Sequence, residues 1–198
     1  MLQPSPLIIS RVLKPLVFFS SLLPFLLLLS AALNDNLGAD PIKTLTLETG
    51  DLGLYFLLFT LALTPLRNLL GLTWLIRFRR MLGLFAFFYA CLHMLIYFVL
   101  DQGLILEAMI EDIVERPYIT VGFSAFVILL LLAMTSFKAA QRKLGKNWKK
   151  LHKSVFVAMA LVILHYIWLV KADLLLPLTY LSVYLLLLLG RLPSLSKT

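Results

Sequence analysis

The chain has 198 residues, of which 61% are apolar and only 14% charged, with a mean hydropathy of +0.96. So few polar groups cannot cover a water-facing surface, which excludes a soluble enzyme, a disordered tail and a secreted disulfide scaffold. The net charge of +8 is therefore read through membrane topology and not as a sign of nucleic acid binding, because Lys and Arg collect on the cytoplasmic side of membrane segments.

In chain order, six apolar stretches approach the roughly 20 residues a helix needs to cross about 30 Å of hydrocarbon. They are residues 15–33, 51–66, 81–100, 118–137, 153–171 and 174–190, the second and last being short. With a cytoplasmic N-terminus, the inside segments carry Arg11 and Lys14, then Arg67, Arg77, Arg79 and Arg80. They also carry the run from Lys138 to Lys153, and finally Arg191 and Lys197. Only Lys43, Arg116 and Lys171 fall outside, together with every Asp and Glu. The prediction is an all-α, integral membrane six-helix bundle, a single domain over 1–198 with both termini cytoplasmic. The run from Lys138 to Lys153 is expected to hold its loop inside and to attract anionic lipid headgroups. Ser30-Ala31-Ala32 faintly resembles a signal cleavage site, but the apolar run before it exceeds a signal core of about 7–15 residues, so an uncleaved anchor is expected. No internal repeat is evident.

The single cysteine, Cys91, excludes an internal disulfide and a cysteine-held zinc or iron–sulfur site. An ionisable group inside a membrane segment is costly and marks a functional candidate. His93 and His165 each lie about twelve residues into helices that leave the cytoplasm, the third and the fifth. Two imidazoles at one depth can clamp a flat macrocycle, as in a bis-histidine heme bundle. His152 lies at the cytoplasmic end of the fifth helix, about 20 Å from His165, and Arg79 about 21 Å from His93. Fourteen residues put Arg79 and His93 on one face. Thirteen leave His152 about 140° off the face of His165, so a bend or bulge is needed to aim both inward.

No Cys-x-x-Cys-His occurs, so any heme is non-covalent. Arg79 is a poor iron ligand and suits a heme propionate or flavin phosphate. The plain alternative is that the histidines hydrogen-bond backbone or water in a membrane core, and spacing alone leaves both readings open. Gly83 and Gly122 permit close helix approach. The chain has no Gly-x-Gly-x-x-Gly behind a strand, no P-loop and no His-Glu-x-x-His, so electrons must come from a separate protein or from quinol.

Taken together, several motifs resemble the MsrQ (YedZ) family of membrane heme subunits. They are Leu75-Ile76-Arg77-Phe78-Arg79-Arg80-Met81-Leu82-Gly83-Leu84 with Leu92-His93, Gly38-Ala39-Asp40-Pro41, Thr64-Pro65-Leu66, Arg116-Pro117-Tyr118-Ile119-Thr120, Lys143-Leu144-Gly145-Lys146, Leu151-His152 and His165-Tyr166. The resemblance runs from about residue 20 to 173. It implies kinship with ferric reductase and NADPH oxidase membrane domains, whose paired histidines hold stacked b hemes. Carried over, His93 and His165 would ligate an outer heme b and His152 an inner one. The remaining inner position falls on Arg79 and departs from the wider pattern, so one or two hemes are implied. The family's role is electron transfer across the bacterial inner membrane to the periplasmic molybdopterin subunit MsrP, which reduces methionine sulfoxide in oxidised proteins. Electrons would come from the quinone pool or a cytosolic flavin reductase, with FMN associated. The chain itself would be an electron-transfer subunit, with the catalysis in its partner. Two other functions compete: a ferric or quinol-linked reductase with a different acceptor, and a proton channel or transporter, which would be colourless.

Overall fold

A computed structural model describes residues 3–170 and 172–191, and all regular structure among them is helical. The helices are α1 Pro6–Leu33, α2 Pro41–Leu70, α3 Thr73–Asp101, α4 Leu106–Glu115, α5 Pro117–Met134, α6 Lys138–Leu144, α7 Lys146–Val170 and α8 Leu175–Leu189. Five of these, α1, α2, α3, α5 and α7, are long and apolar enough to cross a membrane. The sixth apolar segment, α8, has 15 residues, about 22 Å, and falls short of the hydrocarbon thickness by itself. The expected end of the fifth stretch at Lys171, and the tail beyond Arg191 with Lys197, lie outside the described residues.

Local chemistry sets the helix starts. The Ser5 hydroxyl accepts from the Ile8 N–H at 3.3 Å, and Pro6 takes the first helical position, where no N–H is needed. The Asp40 carboxylate accepts from the Lys43 N–H at 3.1 Å, with Pro41 next in line. This cap starts α2 ten residues before the apolar stretch at 51–66. Thr46, Glu48 and Asp51 end the apolar pattern without ending the helix. Gly71, at φ +68°, closes α2 in the left-handed conformation that glycine adopts without strain. α3 opens as a 3₁₀ turn over Thr73–Phe78, continues as α-helix over Arg79–Leu95 and ends in a π-helical turn over Ile96–Asp101. The amphipathic helix α4 occupies the segment that the sequence assigns to an outward-facing loop.

The described residues gather into two compact units, one within 3–96 together with 190–191, the other within 97–170 and 172–189. In the first, α2 and α3 run antiparallel, and Leu54, Leu57 and Leu61 are buried with Phe78, Phe85, Ala86 and Tyr89. Phe56 stacks on Tyr89 with ring centroids 5.3 Å apart and 6° between the planes. The buried Tyr89 hydroxyl donates to the Ser21 carbonyl at 2.7 Å and accepts from the Phe25 N–H at 3.2 Å. These two groups flank Pro24, which lacks an N–H and interrupts the helical ladder of α1. Tyr89 thus satisfies backbone groups where hydrocarbon offers no substitute.

In the second unit, α5 lies antiparallel to α7, burying Ala125, Leu129 and Leu132 with Val155, Ala158, Met159 and Ile163. The Tyr184 hydroxyl of α8 donates to the Phe156 carbonyl of α7 at 3.0 Å. Buried Asp112 of α4 accepts from Gln102 Nε2 at 2.8 Å and from the Tyr97 hydroxyl at 3.4 Å, and pairs with Arg116 at 3.3 Å. The Asp112 carboxylate pushes the Arg116 guanidinium further up from its already high pKa.

Candidate functional site

His93 is half-buried on α3, facing α2. Its Nδ1 lies 2.9 Å from the Thr46 carbonyl oxygen. A carbonyl can only accept, so Nδ1 carries the proton and the lone pair of the neutral ring resides on Nε2. Gly50 stands four residues after Thr46. A Cβ there would approach His93 Nδ1 and Cε1 to 3.2 Å, tighter than ordinary contact.

His165, half-buried on α7, repeats this arrangement against α5. Its Nδ1 donates to the Tyr118 carbonyl at 2.7 Å. Gly122 stands four residues after Tyr118, and a Cβ there would come within 2.7 Å of Nδ1 and 3.0 Å of Cε1. A helical carbonyl already accepts the N–H four residues on, and the imidazole adds a further donor to it. The Thr46 carbonyl also receives the Thr49 hydroxyl at 3.2 Å. The Cβ of that fourth residue leans back over the carbonyl, since helical side chains tilt toward the N-terminus.

The two sets have the same sequence spacing, with each histidine 47 positions after its carbonyl. Every member of the second set lies 72 positions after its counterpart, and the fully buried Ala86 and Ala158 keep that offset. The local arrangement is therefore made twice, on a handful of matching positions. Composition hides it because the matching residues are few and the rest of each helix is interchangeable apolar filler. Sequence reasoning passes over Thr46, Gly50 and the Tyr118 carbonyl. The equal 47-residue spacing is the available signal.

The other end of each pair is different. On α7, His152 is half-buried and stacks on Trp148 with ring centroids 4.1 Å apart. The Thr135 hydroxyl gives its proton to the Leu131 carbonyl at 2.6 Å, so at 3.1 Å it accepts from His152 Nε2–H. The Trp148 Nε1–H donates to the Thr135 carbonyl at 2.8 Å. A turn at Lys153-Ser154 interrupts α7 between the two histidines. Ideal 100° spacing therefore does not apply across that stretch.

On α3, Arg79 is half-buried and its side chain makes no hydrogen bond or ion pair among the described residues. The register that sets Gly50 against His93 and Thr60 against Gly83 brings Thr64 level with Arg79. The Thr64 hydroxyl oxygen is buried and likewise lacks a hydrogen-bond partner among the described residues. Two unmet polar groups at one level fit an anionic group such as a carboxylate or phosphate. Among the described residues no three His, Cys, Asp or Glu side chains gather to hold a bare metal ion.

Antiparallel apolar helix pairs that fix imidazoles through main-chain carbonyls define a multi-pass helical membrane protein with prepared ligand positions. The family model described as the ferric reductase like transmembrane component matches residues 49–163, which includes His93 and His152 and ends two residues before His165. A heme-binding subunit MsrQ of protein-methionine-sulfoxide reductase from Herminiimonas arsenicoxydans is 52% identical over 167 residues, covering 84% of this chain and 76% of that protein. Its namesakes from Bordetella pertussis and Ralstonia nicotianae are 50% and 48% identical, covering 88% and 85% of this chain and 86% and 76% of their own lengths. The chain belongs to the MsrQ family, within the ferric reductase-like transmembrane components.

Proposed function

We propose that the protein is the heme-carrying electron-transfer subunit of a methionine sulfoxide reductase system, seated in the bacterial inner membrane. The observation that carries this reading is the Nδ1–carbonyl bond made identically by His93 and His165. Such a bond fixes ring orientation and leaves Nε2 as the basic nitrogen, which is how imidazole is prepared for a metal. His93 and His165 serve as the iron ligands of a heme b on the periplasmic side. Arg79 and Thr64 hold an anionic group, a heme propionate or the phosphate of FMN, toward the cytoplasm.

His152 is the proposed ligand of a second heme. Binding through Nε2 requires it to release Thr135, so this site is looser in its preparation than the other two. A bound heme would supply a one-electron couple, and the reduction of methionine sulfoxide is assigned to the partner subunit. Electrons enter from the quinone pool or a cytosolic flavin reductase and leave to a periplasmic MsrP-type molybdopterin subunit. That direction fits the concentration of basic residues in the Lys138–Lys153 run, which favours a cytoplasmic position for that loop.

The test is a dithionite-reduced minus oxidised spectrum with heme counted per chain, then electron delivery to purified MsrP compared with ferric chelates. A b-type spectrum and delivery to MsrP are expected. A colourless protein from a heme-sufficient preparation overturns the reading. Transfer to ferric chelates alone moves the protein to the reductase alternative.

A further inference from the structure

From the doubled geometry we infer that Gly50 and Gly122 are positioning residues that set the tautomer of His93 and His165. This rests on the heme reading for its purpose and on the protein's own geometry for its mechanism. An interior helical carbonyl is overhung by the side chain four residues later. Glycine at that place leaves room for a whole imidazole edge from the neighbouring helix, whereas the Phe156 carbonyl, with Ala160 four residues on, takes the slimmer hydroxyl of Tyr184. The hydrogen bond and the missing side chain are thus two halves of one device, and the fold contains it twice.

The contacts rule out general close packing as the reason for these two glycines. Gly53 sits in the same α2–α3 interface, and a Cβ there would meet its nearest atom, the Ala90 nitrogen, at an ordinary 3.6 Å. Gly83 faces only the Thr60 side chain, its methyl also at 3.6 Å. Alanine is the better helix former, so Gly→Ala at all four positions strengthens the isolated helix. At Gly122 and Gly50 alone it also drives a methyl into an imidazole. At Gly122 the ring must move off, whereas at Gly50 it must give by a few tenths of an ångström, in both cases at the expense of the Nδ1–carbonyl bond. Once Nδ1 is released, the neutral ring can carry its proton on Nε2. The clash is harsher at Gly122 than at Gly50, by 2.7 Å against 3.2 Å, which orders the two effects.

The experiment uses the full chain in lipid bilayers with 15N-labelled histidine, prepared with and without heme. In the heme-free wild type, nitrogen shifts should report Nδ1–H for His93 and His165. Gly122→Ala should convert His165 alone, and Gly50→Ala His93 alone. Gly53→Ala and Gly83→Ala should change neither. With heme supplied, Gly122→Ala should lower heme affinity by about 10–100-fold, the range seen when an outer partner of a metal ligand is lost, and Gly50→Ala by less. If Gly122→Ala does not fold, Gly50→Ala carries the same test through its gentler clash. Unchanged tautomers in both variants overturn the inference, as does an equal effect from Gly53→Ala. A wild type that binds no heme overturns the proposed function instead, while the tautomer shifts still decide the role of the glycines.

Discussion

The α2–α3 pair of the first unit and the α5–α7 pair of the second are two versions of one helix hairpin, alike at one end and unlike at the other. At the shared end, a carbonyl, a glycine four residues on and a histidine recur at a fixed offset. At the opposite end, α7 presents His152 bonded to Thr135 and stacked on Trp148, while α3 presents Arg79 with Thr64 at its level. Selection for a symmetric ligand geometry would keep the first end constant. The second end is where the pair can specialise, one hairpin for a ring nitrogen and the other for a permanent positive charge.

The largest effect should separate the two ends directly. On the proposed reading, His93→Ala and His165→Ala should each abolish heme binding and with it electron delivery, whereas His152→Ala should remove at most a second heme. Heme per chain and turnover with MsrP measure both, and wild-type values in His165→Ala would break the comparison.

Next in size is Tyr89→Phe. The position 72 residues later is Leu161, so the second hairpin has no counterpart to the Tyr89 bridge. Losing the hydroxyl strips the Ser21 carbonyl and Phe25 N–H of a partner inside the membrane, at a cost of about 1–2 kcal/mol. A denaturation midpoint that does not move would show that the backbone closes the gap beside Pro24 unaided.

Thr135→Val should cost about 0.5–1.5 kcal/mol by removing the acceptor of His152 Nε2–H. Heme at the shared site should be retained. A fall in that heme would couple ends that the two hairpins keep apart in sequence. The smallest effect belongs to Asp112→Asn, because Arg116 is half exposed and solvent screens the pair to within about 1 kcal/mol. Its signature should be faster hydrogen exchange over residues 102–117, together with an Arg116 guanidinium no longer raised by its neighbour.

Membrane class and approximate spans are legible in the apolar stretches and the basic run, because hydrocarbon thickness and charge asymmetry act on composition over windows of about 20 residues. The scarcity of histidine makes His93, His152 and His165 stand out. Boundaries are less legible. α2 begins at Pro41 because an Asp40 cap outweighs three polar residues, and α7 begins at Lys146 within a run that resembles a loop.

The sequence by itself determined that the chain is an apolar helical membrane protein and singled out its three histidines as candidates. Only the tertiary structure decided which carbonyl meets each imidazole, why Gly50 and Gly122 differ from Gly53 and Gly83, and that Tyr89 mends the ladder at Pro24. Those contacts join residues dozens of positions apart on different helices. Helical periodicity and local propensity extend over a few turns at most, so pairings at that distance are set when the helices pack.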